Sequence, residues 1–289
     1  MYMKQSRYCI YICTFEGTFI RTFVRNKFRD ISIHLLIKPE HVLAPVKTKV
    51  DLTIILQLSR PWRYFRLLMI IRACQLRILP ATSQRVTDAV DALRRERIIA
   101  VPTDTLYGLA AGAHSDKSIR RLYAAKRRSE TVPIAICVSD AKDVERYADT
   151  KHLAEGLLDE LLPGPVTVLL SQKSSADLPS SLNPNSRLMG IRIPKSDFIR
   201  AVARQYGHAL ALTSANQSGS ASTLDLNEFT ELWDDCAFVF DGGRIVSGRV
   251  GSSIVDLSLP GTFSVQRRGD KYEDTRKTLM KFGLRQLPD

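Results

Sequence analysis

The sequence predicts an α/β fold in one continuous domain spanning residues 80–289. Two observations predict it. Helical segments with one apolar face alternate along this stretch with short apolar runs of strand length. No internal repeat or low-complexity linker interrupts the alternation, and no second domain is expected after Gly283.

Each element follows from its residues. TSQRVTDAVDALRRERI sets Val86, Ala89, Val90 and Leu93 on one face of a helix, behind a Thr/Ser cap. IIAVP is a strand, and SDKSIRRLYAAK is a helix with Ile119, Leu122 and Tyr123 inward. PIAICV is a strand, while DAKDVERYA and HLAEGLLDELL read as helices. VTVLL, MGIRI, ALALT, CAFVF, SSIVDL and TFSVQ follow as strands, with helices near 196–206, 226–233 and 273–282. Gly283 suits the position just past the last helix, where a left-handed residue ends it.

Charge and cysteine usage narrow the function. The 289 residues are 44% hydrophobic and 25% charged, an ordinary globular composition. The net charge of +12 resembles a nucleic-acid signal until it is divided. Residues 1–79 hold 14 Lys/Arg against 4 Asp/Glu, a net of +10, which leaves 28 against 26, or +2, for residues 80–289. A nearly neutral domain argues against a general phosphate-backbone binder. The cysteines, Cys9, Cys13, Cys74, Cys137 and Cys236, form no C-x-x-C pair, and their odd number argues against a closed disulfide framework. Cys137 and Cys236 are expected to pack as small hydrophobes. The five histidines lack metal-ligand spacing, so no protein-held metal is expected. A reducing, cytoplasmic location is the resulting expectation. The longest apolar stretch, FRLLMIIRACQLRIL, is broken by Arg72 and Arg77, and no transmembrane segment is expected.

Residues 1–79 mix aromatic, β-branched and basic residues without a clean period. Three readings stand open: a weakly ordered extension, a mitochondrial presequence and a misplaced gene start. The segment is Arg-rich and acid-poor, as targeting sequences are, although Glu16 and Asp30 interrupt it. A start at Met69 gives a shorter basic leader, with Arg72, Arg77 and Arg85 and no acid before Asp88.

Four polar clusters sit beside apolar strands: VPTDTLYGL (Val101 to Leu109), KRRSETVP (Lys126 to Pro133), TSANQSGSAST (Thr213 to Thr223) and GSSIVD (Gly251 to Asp256). Singly, each reads as a turn or as basic residues at a helix C-terminus. Together they suggest a ligand site at strand ends. The chain has neither G-x-x-x-x-G-K-[ST] nor G-x-G-x-x-G, so a nucleotide site needs fixed cations and hydroxyl or amide donors instead of a glycine loop. Lys126 and Arg128 supply such cations. Ser214 and Asn216, two apart in an extended segment, are expected to point the same way.

Over roughly Ser83 to Leu287 these motifs resemble the YrdC-like threonylcarbamoyl-adenylate synthases, in their metazoan-like short form. PTDTLYGL, the K-x-R of Lys126 and Arg128, LLPGPVT, GIRIP, LTSANQSG and SSIVDLS stand in the family's order. The resemblance implies a twisted mixed β-sheet flanked by helices around a concave nucleotide-binding groove. It implies that L-threonine, bicarbonate and ATP become L-threonylcarbamoyladenylate and pyrophosphate, with Mg²⁺ bound through the phosphates. A downstream complex then transfers the threonylcarbamoyl group to an adenine beside the tRNA anticodon, and weak tRNA contact is a further expectation. The family's tetrad falls on Lys126, Arg128, Ser214 and Asn216. Thr167, Ser222 and Arg267 join these on the ATP side, and Thr103, Arg192 and Ser252 lie on the threonine side. Arg192 has a competing reading as an alternating strand residue facing water. The middle residue of K-x-R is usually Gly in the family and here is Arg127. The rival from another class is a non-enzymatic double-stranded RNA or tRNA-binding module. A carbamoyl-adenylate former acting on carbamoyl phosphate is the lesser enzymatic rival.

Overall fold

The computed structural model describes residues 8–15, 18–25, 31–32, 77–127, 132–217 and 219–288. The chain divides into two compact units, Met1–Gln75 and Leu76–Asp289. In the first, β1 (Tyr8–Phe15) pairs antiparallel with β2 (Thr18–Arg25), and β3 (Ile31–Ser32) adds to β2. Strands form here without alternation because β-branched and aromatic residues favour the extended backbone whichever face they occupy. The alternative start at Met69 and its Arg72 fall outside the described residues.

The second unit is an eleven-stranded mixed sheet with helices packed on it. Its strands are β4 (Ile78–Pro80), β5 (Ile98–Pro102), β6 (Tyr107–Gly112), β7 (Ala135–Cys137), β8 (Val166–Ser171), β9 (Leu188–Arg192) and β10 (Leu210–Ser214). β11 (Cys236–Asp241), β12 (Ser253–Asp256), β13 (Thr262–Arg267) and β14 (Arg285–Gln286) complete it. Their spatial order is 14-13-12-8-9-7-10-6-5-11-4. The α-helices among the described residues are α1 (Val86–Arg94), α2 (Asp116–Ala125), α3 (Leu157–Leu161), α4 (Asp197–Tyr206) and α5 (Tyr272–Lys281).

The apolar stripe of α1 (Val86, Ala89, Val90, Leu93) meets Phe198, Ile199 and Val202 of α4 over Ile99, Val101, Ala110, Leu210 and Leu212 of the sheet. Cys137 and Cys236 are buried in the core, and burial pushes both thiols up to about 12, as expected of small hydrophobes. Gly283 follows α5 with φ +80°, and the Leu284 amide donates back to the Leu279 carbonyl at 3.1 Å, the left-handed termination expected there.

Several elements differ from the sequence reading. DAKDVERYA forms a short 3-10 turn at Ala141–Arg146, where Asp140 and Asp143 close a capping box. HLAEGLLDELL is helical only from Leu157, because Gly156 before it adopts φ +78°. The segment near 226–233 is two 3-10 turns. The cap at Thr82 makes no side-chain hydrogen bond, and a 3-10 turn precedes α1. The sequence reading takes Tyr107–Leu109 as the end of the polar cluster VPTDTLYGL and assigns no strand where β6 forms. A Cβ on Gly108 would stand 2.8 Å from Leu212 Cδ1, so the strand needs glycine to pack closely.

Candidate functional site

Helix α2 delivers Lys126. Ser115 caps the helix start, accepting from the Ser118 amide at 3.2 Å, and Lys126 is the C-cap. The lysine is buried (2% exposed), so its ammonium requires oxygen partners. It donates to the Ser214 carbonyl at 2.7 Å, to Asn216 Oδ1 at 3.0 Å and to the Asn216 carbonyl. The Ser214 hydroxyl donates to Asn216 Oδ1, and Asn216 Nδ2 donates to the Ser220 carbonyl at 2.6 Å. β6 anchors this turn, with the Ala215 amide donating to the Tyr107 carbonyl at 2.7 Å.

Lys126, Ser214 and Asn216 are thus brought together across about ninety residues of chain. The route differs from the alternation expected. Ser214 is the last residue of β10, and the chain turns so that the Asn216 amide donates to the Ser214 carbonyl at 3.0 Å. Arg128 lies outside the described residues.

A second cluster surrounds Arg192 at the end of β9. The loop between β5 and β6 is organised by Thr103, whose Oγ1 donates to the Leu106 carbonyl at 2.6 Å. The same oxygen accepts from the Thr105 and Leu106 amides at 3.2 Å. This turn offers Asp104 and Thr105 to Arg192, whose Nη2 donates to Asp104 Oδ1 at 2.5 Å and to Thr105 Oγ1 at 2.7 Å. Arg192 is buried, so the water-facing reading is corrected: a carboxylate and a hydroxyl compensate its charge.

Thr167 of β8 stands opposite Arg192 in the β8–β9 register, and its hydroxyl shares a 2.8 Å hydrogen bond with the Ser252 hydroxyl. Arg267 Nε and Nη2 donate to the Ser252 carbonyl at 3.0 and 2.8 Å. Burial lowers the pKa of Arg267, and the charge of Arg192 acts in the same direction, so the two guanidiniums share one neighbourhood. Ser222 is half-buried and offers its carbonyl to Arg249 Nη1 at 2.8 Å. Among the described residues no hydrogen bond joins its hydroxyl to either cluster.

β6 links the two clusters. Gly108 pairs with Ser214, and a Cβ on it would lie 3.7 Å from Thr103 Cγ2. The Asp104–Arg192 contact also reports the sheet's shape. β6, β10 and β7 lie between β5 and β9. Four steps of about 4.8 Å would separate β5 from β9 by roughly 19 Å in a flat sheet, a span that sheet twist, the loop after β5 and the long Arg192 side chain close together.

Asp104 and Thr105 were missed as site residues, although the signal was present: a carboxylate between two threonines directly after a buried strand. Two clefts, of about 230 and 390 Å³, open elsewhere around Asp140 and Lys142 and are not lined by the predicted residues. Arg204, with Ser139 and Arg200, holds the Asp140 carboxyl down to about 2, and this cluster ties α4 to the Ala141–Arg146 turn.

Comparison with known proteins agrees with the motif order. Residues 91–269 match the Sua5/YciO/YrdC family, described as telomere recombination. Threonylcarbamoyl-AMP synthase of Homo sapiens is 46% identical over 202 residues, which cover 68% of this chain and 71% of that protein. The chain belongs to the Sua5/YciO/YrdC family. The enzyme of the same name from Bos taurus is 45% identical over 201 residues, covering 68% of this chain and 72% of that protein. Among solved structures, P. abyssi Sua5 complexed with L-threonine has a TM-score of 0.65 at 24% identity, covering 73% of this chain. This chain spans 62% of that archaeal protein, and the likeness is one of fold. E. coli YciO shares the fold at a TM-score of 0.59 and 22% identity, covering 67% of this chain and 93% of that one.

Membership in the Sua5/YciO/YrdC family gives the Arg127 departure a physical meaning. Arg127 has φ +47°, in the left-handed region, and its side chain is exposed. Glycine reaches that conformation without strain, whereas the arginine carries a backbone penalty.

Proposed function

We propose that the protein is an L-threonylcarbamoyladenylate synthase, a nucleotidyltransferase using L-threonine, bicarbonate and ATP. The observation that carries this reading is the convergence of Lys126 with Ser214 and Asn216 in a chain 46% identical to a threonylcarbamoyl-AMP synthase. Threonine's amine and bicarbonate condense to a carbamate with loss of water. A carbamate oxygen attacks the α-phosphorus of ATP, a new P–O bond forms, and the bond to the β-phosphate bridging oxygen breaks to release pyrophosphate. No covalent enzyme intermediate is required, so the protein's task is positioning and charge stabilisation.

In this reading Lys126, with Arg128 beside it, faces the phosphates, and Ser214, Asn216 and Ser222 hold the nucleotide. Thr103, Arg192 and Ser252 serve the threonine side. Thr167 and Arg267, expected with ATP, are hydrogen-bonded into the Arg192–Ser252 cluster, which supports placing them where carbamate meets α-phosphate. Among the described residues no group of three or more His, Cys, Asp or Glu could hold a metal. In this proposal Mg²⁺ would be held through the nucleotide's phosphates, as the resemblance implies. The product would pass to a complex that modifies tRNA beside the anticodon. The proposed compartment is the cytoplasm, with the mitochondrion second.

Incubating the purified full chain with ATP, labelled bicarbonate and single amino acids tests the reading. Pyrophosphate release and a labelled adenylate should both require threonine. Release independent of threonine and bicarbonate would overturn it. The near-neutral charge of residues 80–289 disfavours the RNA-binding alternative.

A further inference from the structure

The Asp104–Arg192 pair is half made. A guanidinium offers Nε and one Nη along a single edge, and a carboxylate offers two oxygens that match it. Here only Nη2 meets Oδ1, at 2.5 Å, and Thr105 Oγ1 takes a second bond from the same Nη2. Arg192 Nε and Asp104 Oδ2 are both buried, and neither has a hydrogen-bond partner among the described residues. A charged donor and a charged acceptor of one ion pair, both buried and both unpartnered, call for a ligand that satisfies them.

That requirement selects a chemistry. A phosphate offers acceptors only, and Asp104 Oδ2 would repel it. A hydroxy amino acid carries a carboxylate for Nε and a hydroxyl hydrogen for Oδ2. Its amine is a competing donor to Oδ2, but forming the carbamate strips its charge and leaves one N–H, whereas the hydroxyl is unchanged throughout the reaction. We propose that Asp104 is the specificity-determining residue for the amino-acid substrate: one oxygen orients Arg192, and the other accepts the substrate's β-hydroxyl. This inference rests on the threonine reading above.

Valine supplies the test, since it has threonine's shape without the hydroxyl. Wild-type full-length protein should prefer threonine to valine in kcat/KM by 10- to 100-fold or more, as expected when a charged buried acceptor loses its donor. Equal use of the two amino acids by wild type would overturn the proposal whatever any variant does. Asp104→Asn keeps an acceptor for Nη2 and can replace Oδ2 by a donor. It should cut kcat/KM for threonine on the order of 10- to 100-fold, change that for valine by less than about threefold, and leave the ATP KM unaltered. Equal losses for threonine and valine would reduce Asp104 to a support for Arg192 and also overturn the proposal. Failure of the underlying reading looks different: wild type would then show no dependence on any amino acid.

Discussion

Lys126 and Arg192, the two buried cations of the candidate site, differ in the partners described for them. The described partners of Lys126 are uncharged oxygens, two of them carbonyls of the turn beyond β10. Arg192 is held by the Asp104 carboxylate and the Thr105 hydroxyl. Neutral dipoles fix an ammonium without cancelling its charge, which suits a group facing a polyanion. A carboxylate cancels most of the charge and leaves geometry, which suits reading a small ligand with one carboxylate of its own. Under the proposed function, the difference would separate a region that stabilises charge from a region that recognises shape and hydrogen-bond pattern.

The largest expected effect comes from breaking the first region. Lys126→Ala removes the fixed charge and should lower kcat/KM for ATP on the order of 10²-fold or more, as loss of a transition-state donor does. The threonine KM should change little. Pyrophosphate release at a near wild-type rate would erase the contrast between the two cations. The substitution also strips a donor from buried carbonyls, at a stability cost of about 1–3 kcal/mol, so thermal melting must accompany the kinetics.

A milder change probes the second region. Arg192→Lys preserves charge but replaces a planar fork with a point donor, which cannot serve Asp104, Thr105 and a ligand from one edge. The threonine KM should rise roughly 10-fold, the scale of one charge-assisted hydrogen bond, and the ATP KM should move far less. Equal effects on both substrates would show that the two regions act as one.

The regions also differ in how far sequence alone reveals them. Helix periodicity placed α1 and α2 correctly because one buried stripe per helix dictates them. The polar clusters after β5 and β10 each read singly as a turn, and only their joint placement beside buried strands suggested a ligand site. The partners of each cation were not legible. Asp104 meets Arg192 across three intervening strands, and no local pattern encodes a contact between residues 88 apart. β6 was concealed because its glycines answer to Leu212 and to Tyr206, whose hydroxyl would lie 2.3 Å from a Cβ on Gly112. The short turns at Ala141–Arg146 and at Leu226–Asp235 carry helix-like patterns but lack the length for a full helix.

The smallest expected effect sits one residue past Lys126. Arg127 holds φ +47° at the exit of α2, where the Arg127 amide donates to the Ala124 carbonyl at 2.9 Å. A residue with a Cβ is strained there, and glycine is not, although glycine also widens the unfolded ensemble. The first effect is the larger, so Arg127→Gly should stabilise the protein by about 0.5–1 kcal/mol in urea or thermal unfolding. Its exposed guanidinium makes no hydrogen bond or ion pair with the Lys126 turn among the described residues, so the ATP KM should stay within about twofold. A rise in the ATP KM beyond that would mean that the added charge belongs to the phosphate side.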